Sequence, residues 1–86
     1  LYSYWVDVSK IGSLQITSSI RNDWYPYIAY YDKFLRLLRV EKIDEKTTNM
    51  LLNIGGDAYY IKISDIYTLK NIRDDLVLMP RAKKSE

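Results

Sequence analysis

Two residue types are missing altogether: the chain has no cysteine and no histidine. Without thiols there is no disulfide stapling and no thiolate chemistry. Without imidazole the commonest metal ligand and the commonest general base are gone. Only three Gly and two Pro occur, and neither a linker nor an internal repeat is visible. No apolar run approaches the ~18–20 residues needed to cross a bilayer, so no membrane partner is expected. The opening Leu1-Tyr2-Ser3-Tyr4-Trp5 has no basic n-region and no starting Met. A signal peptide is therefore not expected, and the chain reads as an intracellular domain cut from something larger.

Catalytic constellations are equally thin. There is no Ser-His or Cys-His pair, no Gly-rich phosphate loop followed by Lys-Ser/Thr, and no zinc-ligand spacing. Asp74 and Asp75 are adjacent, and adjacent strand positions point to opposite faces, which makes them a poor shared-proton dyad. Asp57 and Asp65 read as turn and cap residues. The expectation is a protein that is not an enzyme and takes no cofactor or metal.

What is present is a core. Of 86 residues, 48% are hydrophobic and 14% aromatic, including nine Tyr and two Trp. That is enough for one folded domain, although a chain this short buries only about 60–65% of its unfolded surface. The net charge is +2. Arg81, Lys83 and Lys84 against Glu86 account for all of it, and residues 1–80 are neutral. A surface built to hold phosphates is usually basic over a whole face. Here basicity is local: Lys33, Arg36, Arg39 and Lys42 lie within ten residues, interrupted only by Glu41.

Period-two patterning dominates the chain. Met50, Leu52 and Ile54, then Tyr59, Ile61 and Ile63, alternate with other residues on either side of Gly55-Gly56. This predicts a β-hairpin whose glycines adopt positive φ and whose inner face is those six residues. Arg36–Ile43 reads as a strand with Leu38 and Val40 inward and Arg39 and Glu41 outward, after a helical turn at 32–35. Trp24–Tyr31 reads as an aromatic strand with Pro26 at its start or edge. Leu14, Ile16 and Ile20 mark a strand ending at the turn Arg21-Asn22-Asp23. Val6 and Val8 mark another before a turn at Gly12. A 3₁₀ turn is expected near 65–69, and a last strand, Leu76–Met79, stops at Pro80. The prediction is a single all-β domain over residues 1–80, a small, strongly bent barrel of five to seven short antiparallel strands, with 81–86 a frayed basic tail.

Nine Tyr exceed what so small a core can hide, so some rings must be exposed. Rings at a barrel mouth can enclose a cation through their π faces, or stack on unpaired bases.

Three segments carry a resemblance. Trp24-Tyr25-Pro26-Tyr27-Ile28-Ala29-Tyr30-Tyr31-Asp32 is similar to the aromatic-Tyr-Pro-Gly strand of Tudor domains, SH3-like barrels of the kind found in chromatin-associated checkpoint mediators. Asn49–Asp57 resembles their next strand, and Ile61–Leu69 their strand, short turn and closing strand; the likeness spans about Leu14–Met79. The family's methyl-lysine cage maps onto few matching residues. Tyr25 matches an aromatic cage position, whereas Asn53, Gly55 and Asp57 stand where cage aromatic and acidic residues are common, and Tyr27 replaces the family's Gly. The resemblance implies a nuclear, chromatin-linked interaction module binding a protein or histone-type peptide, methylated or not, at an aromatic mouth of Trp24, Tyr25, Tyr59 and Asp57, with Asp32 a second carboxylate for a basic ligand.

Two alternatives stand beside it. One is a DNA- or RNA-binding SH3-like module using Lys33, Arg36, Arg39 and Lys42 with Tyr30, Tyr31 and Tyr60. The other is a scaffold or assembly domain whose exposed Tyr rings meet another subunit or another copy.

Overall fold

The computed structural model describes residues 3–83. They form β1 (Tyr4–Asp7), β2 (Ile11–Thr17), β3 (Pro26–Tyr31), β4 (Leu37–Lys42), β5 (Asn49–Asn53), β6 (Tyr60–Asp65) and β7 (Val77–Ala82), with a 3₁₀ turn at Leu69–Asn71. The fold is all-β. One sheet has the order β1-β6-β3-β4 and the other β5-β2-β7, and every pairing is antiparallel. The sheets bend around one core, but β4 and β5 do not pair, so the barrel is not closed.

The alternation explains the layers. Leu14, Ile16, Met50 and Leu52 face inward from the three-stranded sheet; Ile28, Tyr30, Ile61 and Ile63 face them from the other; Trp24, Val8, Ala58 and Leu76 fill the ends. Met50, Leu52, Ile54, Ile61 and Ile63 are buried as their spacing predicts, whereas Tyr59 is partly exposed. Pro26 begins β3, where its carbonyl accepts from Ile43 N–H (3.1 Å) and its missing N–H falls at the end of the ladder.

The hairpin expected across 49–64 does not form. Both strands exist, but β5 pairs with β2, while β6 pairs with β1 and β3. Their inward residues meet one core from opposite sides, which gives the same alternation as a hairpin would. Between them Ile54 N–H donates to Gly12 O (3.0 Å), Ala58 N–H to Gly55 O (3.1 Å) and Tyr59 N–H to Tyr31 O (2.8 Å). The chain thus leaves one sheet at Ile54, turns tightly, and joins the other at Tyr59. No glycine has positive φ, contrary to the primed-turn expectation.

Strand β4 is inverted relative to its predicted facing. Arg39 pairs with Tyr30 and Glu41 with Ile28, placing both charged residues on the inner side, while Val40 pairs with Ala29 on the outer side. A bulge between Tyr30 and Tyr31 inserts Leu38 as an extra residue and resets the alternation. Both charged residues are half-buried, and each head finds a partner at the rim of the core: the Arg39 guanidinium lies over the Tyr30 ring and reaches Asn53 O, and Glu41 accepts from the Tyr30 hydroxyl. The 32–35 segment is a turn rather than a helical one.

Smaller differences follow from pairing. Gly12 lies inside β2, at a bulge in its pairing with β7, and is not a turn. Ile20 lies past the end of β2 and is exposed. The 3₁₀ turn begins at Leu69, because Asp65 first accepts from the Tyr67 and Thr68 N–H groups (2.8 and 3.1 Å). Pro80 does not end β7. This strand is at an edge, and Arg81 and Ala82 continue it opposite Ser13 and Ile11. Lys83 N–H donates to Lys10 O (3.1 Å), so the tail expected from 81 is paired at its start; residues 84–86 lie outside the described residues.

Two buried polar side chains tie the loops together. Asn22 Oδ1 accepts from the Arg73 and Asp74 N–H groups (2.7 and 2.8 Å), and its Nδ2 donates to Ser18 Oγ and Asp74 O (both 3.0 Å). Asp65 Oδ2 accepts from Tyr25 N–H (2.9 Å), and its Oδ1 from Asn71 Nδ2 (3.1 Å) besides the two turn amides.

Candidate functional site

The structure does not assemble the predicted mouth. Trp24 is fully buried, with Nε1 donating to Ser64 O (3.0 Å). Its ring is core, because a large aromatic at the entry to a central strand is the best filler for that end of the barrel. Tyr25 is half-buried and packs edge-on against Tyr67 (5.4 Å, 82°). Tyr59 and Asp57 lie elsewhere. Pairing places Pro26 opposite Asp65 and Tyr31 opposite Tyr60. Tyr25 and Tyr59 therefore lie just past opposite ends of β3, seven residues apart in register or about 23 Å at strand rise. Asp57 Oδ1 sits 3.9 Å from Arg39 Nη1. Asp32 is occupied by its own turn: it accepts from the Phe34 and Arg36 N–H groups (2.8 and 2.9 Å) and from Arg36 Nε (2.9 Å). The Arg36 amide in particular holds its carboxyl below the usual range.

The basic cluster does not form a face either. Arg39 is turned inward, its guanidinium 3.8 Å from the Tyr30 ring centroid and donating to Asn53 O (3.3 Å). Lys42 is on the outer side of the same strand, opposite Tyr27. Lys33 lies in the β3–β4 turn, and Arg36 pairs with Asp32. Tyr30 is fully buried and offers no ring face to a base, and Tyr31 and Tyr60 are half-buried.

A different cluster is exposed. Trp5 pairs with Lys62, Lys62 with Ala29, and Tyr31 with Leu37, so all lie on the outer face of the four-stranded sheet. The Trp5 and Tyr31 rings meet at 5.3 Å, tilted 36°, with Lys62 Nζ 5.7 Å from the Trp5 ring. Beyond Tyr31 the turn carries Phe34, with Lys33 Nζ and Arg36 Cζ at 5.2 and 5.0 Å from its ring. Phe34 is 66% exposed, Leu35 60%, Leu37 59% and Trp5 56%. Single exposed apolar residues are ordinary, whereas these stand together at one end of a sheet.

The turn itself is strained. Leu35 has φ 63°, the left-handed region that a Gly normally fills at this point of a hairpin. Asp32 holds it there, because Asp32 O accepts from Leu35 N–H (3.0 Å) and Asp32 N–H donates to Arg36 O (3.0 Å). The chain thus keeps a bulky apolar residue, outward, where geometry favours glycine.

The Trp5 position was legible, since Val6 inward implies Trp5 outward. Phe34-Leu35 has no periodic signal, being an apolar pair inside a turn. Among the described residues no group of three or more His, Cys, Asp and Glu side chains is placed to hold a metal ion. No protein-family model matches the chain, and neither a curated protein nor a solved structure matches it.

Proposed function

We propose that this domain is a non-enzymatic interaction module that binds a protein segment on the outer face of its four-stranded sheet. The observation that carries this is the exposed set Trp5, Phe34, Leu35 and Leu37 at one end of that sheet, with the half-buried Tyr31 ring against Trp5. Its ligand chemistry follows from the rim. Lys33, Arg36 and Lys62 stand over the Phe34 and Trp5 rings, so the π faces that would attract a methylated lysine already hold cations. The fitting partner is an apolar segment flanked by carboxylates, with a few large side chains carrying most of the affinity. The Tudor resemblance supports a nuclear, chromatin-linked setting.

Trp5 provides the readout, since Trp24 is buried. A peptide alternating Leu or Phe with Glu is expected to shift Trp5 emission on titration, and the Trp5→Phe variant to show no shift. Phe34→Ser with Leu37→Ser should abolish the response while leaving thermal stability near that of the parent. A trimethyl-lysine histone-tail peptide or an oligonucleotide binding where the acidic peptide does not would overturn the assignment.

A further inference from the structure

The two sheets have four edges, and three are blunted. Strand β1 is only four residues long, and the chain entering β7 crosses it, with Tyr4 Oη 3.3 Å from Asp75 Oδ1 and accepting from Leu76 N–H (3.2 Å). Strand β4 carries a bulge and the charged residues Arg39, Glu41 and Lys42. Strand β7 carries a bulge in its pairing, Arg81 and Pro80. These are the usual devices against edge-to-edge pairing. Strand β5, Asn49-Met50-Leu51-Leu52-Asn53, has none of them: no charge, no Pro, no Gly and no bulge. Residues 47–56 are uncharged throughout.

The hydrogen-bond parity of this edge can be read from its flanks. Ser18 N–H donates to Thr48 O (2.9 Å) and Ile54 N–H to Gly12 O (3.0 Å). With the observed register, Met50 and Leu52 therefore bond to β2 through Ile16 and Leu14. The N–H and C=O groups of Asn49, Leu51 and Asn53 point to the open edge. All three residues are exposed, Leu51 at 61%.

We propose that β5 is a self-association edge, pairing antiparallel with β5 of a second copy of this chain about a two-fold axis at Leu51. The strand is close to a palindrome, polar at both ends and apolar within. In this register Leu51 faces its own copy, Asn49 faces Asn53 of the second copy, and Met50 faces Leu52. Each outward-pointing residue then meets another outward-pointing residue, and each such pair exchanges two bonds, about six in all. A one-residue slip loses this match. The inward-facing Met50 and Leu52 stay on one side, so two three-stranded sheets become one continuous sheet. No charge opposes a like charge across the axis. The bond that each Asn53 carbonyl accepts from Asn49 of the second copy competes with Arg39, whose guanidinium already donates to that carbonyl at 3.3 Å. This edge belongs to the other sheet from the Trp5–Phe34 surface, and the pairing does not depend on what that surface binds.

The absence of native cysteine allows a register test. In the proposed dimer the Cα atoms of Leu51 and its copy are ~5.5 Å apart, within disulfide range. Asn49 and its copy are offset by four residues, roughly 14 Å. Leu51→Cys is expected to give a covalent dimer on oxidation, Asn49→Cys alone none, and Asn49→Cys with Asn53→Cys a dimer again. Sedimentation equilibrium of the unmodified chain should show mass rising from 10.2 kDa toward twice that value with concentration. Leu51→Lys should hold it at the monomer with an unchanged far-ultraviolet spectrum. Met79→Lys, on the opposite edge strand, should behave as the parent. A chain that stays monomeric across the series, or Cys variants that cross-link without regard to position, would overturn the proposal.

Discussion

Arg39 covers Tyr30: the guanidinium carbon lies 3.8 Å from the ring centroid, and the phenol donates to Glu41 Oε1 at 2.6 Å. Both partners come from the inner side of β4. The inverted facing of β4 therefore closes the open end of the core with a cation over the ring and a carboxylate on its hydroxyl. Arg serves this better than an aliphatic residue, because its flat guanidinium lies over the ring face while its N–H groups still reach Asn53 O.

That closure has a pH signature. Burial, and then the hydrogen bond to Glu41, push the Tyr30 phenol well above its ordinary value of 10. The folded chain thus keeps this proton at a pH where the unfolded chain loses it. The contribution is complete below the unfolded value and is lost as pH rises through it toward the folded one. Urea midpoints are expected to begin falling near pH 10, where an ordinary phenol ionises, to keep falling above it, and to fall less steeply in Tyr30→Phe. Tyr67, raised by its hydrogen bond to Asp44, adds a slope in the same direction to both proteins. The difference between the two curves isolates Tyr30.

Asn22 should be among the costliest polar positions. Asn22→Ala leaves two backbone N–H groups without their acceptor and Asp74 O and Ser18 Oγ without their donor. A loss of about 2–4 kcal/mol is expected in denaturant unfolding. Asn22→Asp, which keeps the acceptor and loses the donor, should fall between the two.

Leu35→Gly tests whether the strained turn is retained for function. Relieving the left-handed conformation should stabilise the domain by about 1 kcal/mol, read as a higher urea midpoint. The same variant should weaken the acidic peptide response at Trp5. A variant destabilised by the change would mean that the Leu35 side chain packs within the domain, against its observed exposure.

Gly56→Ala is expected to be neutral or mildly stabilising, by up to about 1 kcal/mol, through the unfolded chain's lost freedom. Gly56 has no positive φ, and a Cβ there meets nothing within 4 Å. Thermal melts of the two proteins side by side suffice to check it.

Period-two alternation determined that this chain is all-β and placed Leu14, Ile16, Met50, Leu52, Ile61 and Ile63 in its core, although the same pattern also pointed Ile20 and Tyr59 inward, and both are exposed. Pro26 likewise announced the start of β3. Partner choice was not legible, because two strands facing one core from opposite sheets carry the same pattern as two strands of a hairpin. Gly55-Gly56 looked like the turn between them and is instead a corner between sheets. Facing failed at β4 for a related reason. A bulge shifts alternation by one residue without leaving a mark in composition, and the inner side of an edge strand at the rim of the core takes Arg39 and Glu41 where a central strand would take Leu and Val. Aromatic rings were equally ambiguous: Trp24 went to the core and Trp5 to the surface, and only the packing of the sheets separates them. The free edge at Asn49–Asn53 depends on both levels, since its lack of charge is written in the chain but its lack of a neighbour is decided by the tertiary structure.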